Sequence, residues 1–388
     1  MNNITFLLSI GLSLLLLLIF QAEGNAQDTQ SNDDSSYRIV AYAGGSANIW
    51  QIEATKITHI NYAFANVNEE GEIFFRNPVE AGQQLARLQK LKAKNPDLKL
   101  LVSVGGWGAD GFSDAALNKK SRAKFSQSAV AMIKNYGLDG IDLDWEFPGQ
   151  PGPGITYRAE DKQNFTLMLR SLRRQLDSLS HKRELTGDDR YLLTIASNDN
   201  QAFFEHTQMG RLHQYLDFIN VMAYDMFTVG SETTGHHTGL YQSSPDDPAR
   251  TTAAAVQRHL DAGIPAHKIV VGVAFYGRSW EGVANQRHGL YQPFEKFYRF
   301  IQYEELTDHY INKNGFKRYW DEAAKAPYLW NADKRIMVSY DDSESLRYKA
   351  DYIKENNLGG VMYWHHSYDP SQVLLDTLYE NLKQKDNE

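Results

Sequence analysis

The chain has 388 residues, 42% of them hydrophobic, enough to bury a large core in one domain or two. Its formal net charge of −8, with no concentrated basic stripe, excludes a nucleic-acid footprint. It has no cysteine, which excludes disulfides and thiol-linked lipid, so stability must come from core size.

Ile4 to Phe20 is almost wholly apolar and leads into the polar, small-residue stretch Gln21 to Ala26. This predicts a signal peptide over residues 1–26, cleaved after Ala26, even though no Lys or Arg precedes Arg38. The apolar run is short for a bilayer span, so a secreted or periplasmic protein with no stable membrane partner is expected; an uncleaved anchor is the competing reading. Residues 27–36 are polar and acidic and read as a flexible leader.

From Tyr37 onward, apolar β-branched segments alternate with amphipathic helical ones. Strands are predicted at Arg38 to Ala43, Ile57 to Ala65, Lys99 to Val104, Gly140 to Trp145, Tyr191 to Ala196, Phe218 to Tyr224, Ile269 to Ala274 and Gly360 to Trp364. Helices are predicted at Gln83 to Lys94, Arg122 to Tyr136, Lys162 to Leu179, Thr251 to Ala262 and Ser343 to Asn356. Eight strands with intervening helices argue for an α/β fold of the closed (β/α)8 TIM-barrel type. Gly44-Gly45 after the first strand is too little for a dinucleotide fingerprint.

The interval between Ala274 and Gly360 is far longer than a crossover requires. Its aromatic-rich part predicts a small α+β insertion subdomain over 281–338, projecting on the catalytic face between the seventh and eighth strands. The barrel then occupies 37–280 and is completed by 339–382.

Chemistry concentrates on Asp139-Gly140-Ile141-Asp142-Leu143-Asp144-Trp145-Glu146. Strand alternation puts Asp142, Asp144 and Glu146 on one face and Ile141, Leu143 and Trp145 on the other. Helices cover the outside of a barrel, so the carboxylates point inward. Crowding buried carboxylates raises the proton affinity of at least one, which is what a general acid needs. Glu146, nearest the mouth, is the natural proton donor, with Asp144 beside the reacting atoms and Asp142 sharing a proton from below. A solvated edge strand would show the same alternation but does not fit a central place in the strand order. Asp139 is out of phase with the other three, and alternation gives it no role.

Other strand ends converge on the same mouth. Gly105 and Gly106, in Ser103 to Trp107, allow close approach of backbone to neighbouring groups. Met222-Ala223-Tyr224-Asp225 adds a phenol and another carboxylate, and Met362-Tyr363-Trp364 a further tryptophan. Flat apolar faces with polar edges at Trp107 and Trp364 suit a carbohydrate. No metal or cofactor is expected: the adjacent pairs His236-His237 and His365-His366 lack the i, i+4 ligand arrangement.

The run Asp139 to Glu146 resembles the DxxDxDxE signature of the family 18 glycoside hydrolases, the chitinase family. Ser103 to Trp107, Met222 to Asp225 and Phe275 to Trp280 resemble that family's motifs after the third, sixth and seventh strands. Tyr319 to Leu329 and Val338 to Asp342 resemble its insertion subdomain and exit. The resemblance implies an enzyme that hydrolyses β-1,4 bonds of chitin or chitooligosaccharides with retention, the substrate's acetamido oxygen serving as nucleophile. It implies Glu146 as general acid and base, Asp144 orienting the acetamido group, Asp142 modulating Asp144, and Tyr224 bonding the acetamido oxygen. Asp225 and Arg278 would hold the sugar over a Trp364 floor, with Trp107, Met222, Tyr276 and Tyr42 as neighbouring contacts. Asp139 would be structural support.

The chain departs from the family pattern in following Trp364 with His365-His366-Ser367-Tyr368-Asp369, which bears on subsite shape. A monomer is expected, acting on soluble chains or fragments rather than crystalline chitin. The alternatives are an endo-acting enzyme on N-linked glycans and a catalytically silent chitin-binding lectin.

Overall fold

The computed structural model describes residues 37–45, 51–243 and 250–383, so the signal-peptide and leader readings lie outside the described residues. In chain order the strands are β1 (Arg38–Ala43), β2 (His59–Val67), β3 (Ile73–Phe74), β4 (Lys99–Gly105), β5 (Gly140–Asp144), β6 (Leu192–Ser197) and β7 (Phe218–Val221). They continue with β8 (Ile269–Ala274), β9 (Tyr276–Glu281), β10 (Lys296–Gln302), β11 (Lys317–Asp321), β12 (Ala326–Asn331), β13 (Ile336–Ser339) and β14 (Gly360–Trp364).

Eight of them run parallel in the order β1-β14-β8-β7-β6-β5-β4-β2, and pairing of β1 with β2 closes the ring. This is a (β/α)8 barrel. Outward residues such as Ile141 and Leu143 are buried under the helices. Trp145 stacks on Phe112 with ring centroids 5.3 Å apart and meets Phe165 edge-on at 5.1 Å.

The interior is a packed plug rather than a pore. Val40 and Tyr42 from β1, Phe218 from β7, Val270 from β8 and Met362 from β14 form its apolar centre. Met222, Tyr224 and Trp364 lie against it and separate it from the mouth.

The helices start where local chemistry directs. Asn118 caps the helix Lys119–Tyr136 in a reciprocal box with Ser121. The helix Pro78–Gln89 begins five residues before its predicted start at Gln83, because Asn77 caps it and Pro78 fits its first turn.

Leaving β8 at Ala274, the chain enters a second, antiparallel sheet of order β10-β9-β13-β12-β11. The sheet therefore begins at Tyr276, ahead of position 281. Entry and exit strands pair directly, Arg278 opposite Ser339, and the chain returns through the helix Ser343–Glu355. The sheet thus grows from the C-terminal end of a barrel strand, and this brings Tyr276 and Arg278 to the mouth.

Candidate active site

β5 delivers the acids. Asp142 is completely buried and accepts four hydrogen bonds: from Tyr42 Oη (2.8 Å), Ser103 Oγ (2.7 Å), Thr194 Oγ1 (2.5 Å) and Asn220 Nδ2 (3.3 Å). Ser103, Asp142 and Thr194 face one another in register across β4, β5 and β6. Burial pushes the Asp142 carboxyl up, and these donors partly reverse the shift. With its oxygens so occupied, Asp142 does not form the proton-sharing contact with Asp144 read from the sequence.

Asp144 is buried too, yet its Oδ1 has no hydrogen-bond partner. Burial pushes its carboxyl well above the usual range, and the charges of Glu146 and Asp142 add to that. An unpartnered polar atom at such depth is costly unless another group meets it. Glu146, just past the end of β5, has its backbone carbonyl held by Asn198 Nδ2 at 3.0 Å. Burial, and next the charge of Asp225, pushes its acid up to about 7.

Asp225 has the opposite environment. Burial alone would raise it, but the adjacent His237 ring and the Arg278 guanidinium outweigh burial and hold it well below the usual carboxylate range. Arg278 donates twice to it, Nε to Oδ1 at 2.7 Å and Nη2 to Oδ2 at 2.6 Å. The guanidinium lies among the rings of Tyr276, Phe297 and Phe300, 5.2 to 5.8 Å from their centroids.

Gly105 and Gly106 are obligatory at the rim. Both have positive φ, and a Cβ on Gly105 would stand 2.2 Å from the Asp144 carbonyl oxygen. At Gly106 a Cβ would meet the Phe64 ring at 2.8 Å. Phe64 stacks on Trp364 at 5.5 Å, and so steadies the indole at the end of β14. Trp107 is 74% exposed and leans edge-on against Phe147, a free aromatic face beside the cleft.

The other expected site residues divide in two. Met222 and Tyr224 line the inner end of the mouth with Trp364. Tyr42 and Tyr276, read as sugar contacts, are each only 2% exposed and stand one layer back. Tyr42 is taken up by Asp142, and Tyr276 packs against Tyr224, His237 and Phe300. Asp139 precedes β5 at its opposite end, ion-paired to Lys92 Nζ at 2.6 Å and accepting from Leu100 N at 2.6 Å. At about 3.3 Å per residue, it lies roughly 23 Å along the chain from Glu146 and pins the strand's start.

Sequence reasoning assigned no role to Thr194, Asn220, His237, Phe64 or Phe300. The first two carried a usable signal, since a polar residue on an inward register of a barrel strand needs a polar partner.

A closed parallel barrel with an acid held near neutrality at its C-terminal mouth, above further buried carboxyls, defines an acid-base hydrolase site. The family model described as glycosyl hydrolases family 18 matches residues 33–369. Chitinase A1 of Niallia circulans is 37% identical, over 96% of this chain and 62% of its own length. Chitinase B of Serratia marcescens is 31% identical, over 83% of this chain and 75% of its own. Among solved structures, a family 18 N-acetylglucosaminidase from Paenibacillus barengoltzii superimposes with a TM-score of 0.83 at 41% identity, covering 89% of this chain and all of that one. The chain belongs to glycosyl hydrolase family 18. It spans about three-fifths of the length of chitinase A1.

Proposed function

We propose that the protein is a chitinase that hydrolyses β-1,4 bonds between N-acetylglucosamine residues with retention, Glu146 acting first as general acid and then as general base. The observation that carries this reading is the pairing of Glu146, its acid pushed up to about 7, with Asp144, whose buried Oδ1 lacks a partner. An acetamido N–H is a donor suited to that oxygen. Asp142 is saturated by four donors and Asp225 is clamped by Arg278, so neither is free to attack an anomeric carbon. That the substrate's acetamido oxygen serves as nucleophile, with Tyr224 bonding it and Trp364 beneath the sugar, is what the family resemblance implies. Export from the cell, resting on the apolar run Ile4 to Phe20, is part of the same reading.

The test is turnover of chitooligosaccharides by the wild type and by Glu146→Gln. Loss of a general acid lowers the rate by roughly 10²- to 10⁴-fold. Equal rates, no turnover by either, or an early α anomer in the product would sink the reading.

A second reading, release of single sugars from a chain end, is favoured by the likeness to the N-acetylglucosaminidase from Paenibacillus barengoltzii, matched over the whole of its solved chain. A time course on an end-labelled hexamer separates the two: monomer from the first minutes means exo action, and internal fragments mean endo action.

A further inference from the structure

Tyr224 and Asp225 sit on a segment that has left the sheet. β7 ends at Val221, and Asp225 adopts a left-handed conformation (φ 60°), which costs a non-glycine residue. Ladder bonds therefore do not hold these two side chains in place, and other groups must.

The loop that follows, Thr234 to Gly239, packs behind this segment. His237 accepts at its carbonyl from Met226 N (3.1 Å) and sets Nδ1 3.5 Å from Asp225 Oδ1. Thr238 Oγ1 lies 3.3 Å from the carbonyl oxygen of Ala223, the residue before Tyr224. Behind Thr238 stands an ion pair sealed from solvent: Lys349 Nζ and Asp341 Oδ2 are 2.7 Å apart, with the residues 1% and 0% exposed.

The donor inventory orients this chain of groups. Lys349 can only donate, and it donates to Thr238 Oγ1 at 2.7 Å as well as to Asp341. The single Thr238 hydrogen is then directed onward, to Ala223 O or to Asp341 Oδ2 at 3.1 Å. Asp341 is further tied to Ser345 Oγ (2.7 Å) and to the backbone N–H of Ala274 at the end of β8. As core filling, a buried ion pair has no advantage over an apolar pair of equal volume. An apolar pair, however, could not donate to Thr238.

We propose that Thr238, its hydroxyl oriented by the buried Lys349–Asp341 pair, is a positioning residue that fixes the Ala223 carbonyl and through it Tyr224. The kinetic part rests on the proposed chitooligosaccharide hydrolysis; the exchange part does not. Thr238→Val removes the hydroxyl and leaves the ion pair in place.

The experiment compares wild type, Thr238→Val, Thr238→Ser, Tyr224→Phe and the Thr238→Val/Tyr224→Phe double variant on a chitooligosaccharide hexamer. A small misplacement of reacting groups costs up to about 100-fold, so Thr238→Val lowers kcat roughly 10- to 100-fold, KM changes little, and Thr238→Ser restores most of the rate. If Thr238 acts through Tyr224, the same substitution costs less than about 3-fold once Tyr224 is already Phe. In parallel, amide exchange of the peptide covering residues 222–226 is faster in Thr238→Val, and in Lys349→Met where that variant folds. Wild-type turnover decides the hydrolase reading by itself. Unchanged exchange at 222–226, undiminished kcat in Thr238→Val, or equal losses in both Tyr224 backgrounds would overturn the positioning role.

Discussion

Glu146 and Asp225 are two carboxyls of one mouth with opposite ionisation, set by their neighbours. Asp225 has Arg278 as a double donor with His237 beside it and stays charged, and its charge helps burial keep the proton on Glu146. The general acid proposed at Glu146 would work only when protonated, so kcat/KM is expected to hold below about pH 7 and to fall about tenfold per unit above it. Asp225→Asn removes the negative charge that favours the protonated form, and the alkaline limb moves to lower pH. A pH–rate series on both proteins checks this; an unmoved limb would refute the coupling. The same proton affects stability. The Glu146 acid is raised from 4.5 to about 7, so below pH 4.5 both states hold the proton and nothing is lost. As pH rises through this window the unfolded chain releases it first, and above 7 the folded state carries a cost on the order of 3 kcal/mol. Glu146→Gln escapes that cost, so its stability relative to wild type improves between pH 4 and pH 8 in urea melts. A constant difference across that range would contradict the assignment. At this scale much of the site was legible in the sequence: alternation put Asp142, Asp144 and Glu146 on one face. Alternation could not show that Asp142 meets Ser103, Thr194, Asn220 and Tyr42 rather than Asp144, because those partners come from four other strands.

At the scale of elements, the predictions that drifted did so for local reasons. Phe218 to Tyr224 reads as one strand because Met222 and Ala223 continue the apolar run, yet pairing stops at Val221 so that Tyr224 and Asp225 can turn into the mouth. Periodicity sees the apolar run but not the departure from the ladder. The helix Ser343–Glu355 starts where expected, and its cap explains why. Asp342 accepts from Glu344 N (3.0 Å) and Ser345 N (3.2 Å), while Ser345 Oγ accepts from Asp342 N (3.0 Å). Asp342 also pairs with Arg318 of β11 at 2.8 Å, which ties the inserted sheet to this helix. Replacing an N-cap acid by alanine costs about 1 to 2 kcal/mol. Asp342→Ala is therefore expected to lower the urea midpoint by that free energy, and Asp342→Asn, which keeps the cap, to recover most of it. Equal losses in the two would mean the Arg318 pair, not the cap, carries the effect.

For the molecule as a whole, strand count and spacing made the barrel legible, and the long interval before the last strand made the insertion legible. The sequence did not reveal that the inserted sheet has no interior of its own. Trp280, Leu329, Met337 and Val338 belong to the same continuous buried cluster as barrel residues such as Ile141, Phe275 and Tyr363. Phe275 stacks on Tyr363 at 4.4 Å where β8 hands over to β9, so the junction itself is packed core. A five-stranded sheet that shares its core with the barrel in this way has little to hold it folded once the barrel opens. The chain has no disulfide to keep either part closed, since it has no cysteine. Barrel and sheet should then unfold together. Tryptophan fluorescence draws on Trp280 and Trp330 in the sheet as well as Trp145 in the barrel, whereas far-UV ellipticity is dominated by the barrel helices. In a urea titration followed by both signals and by residual hydrolase activity, the three midpoints should coincide. An early fluorescence phase, with activity lost while ellipticity persists, would show instead that the sheet, carrying Tyr276 and Arg278, detaches first and takes the clamp on Asp225 with it.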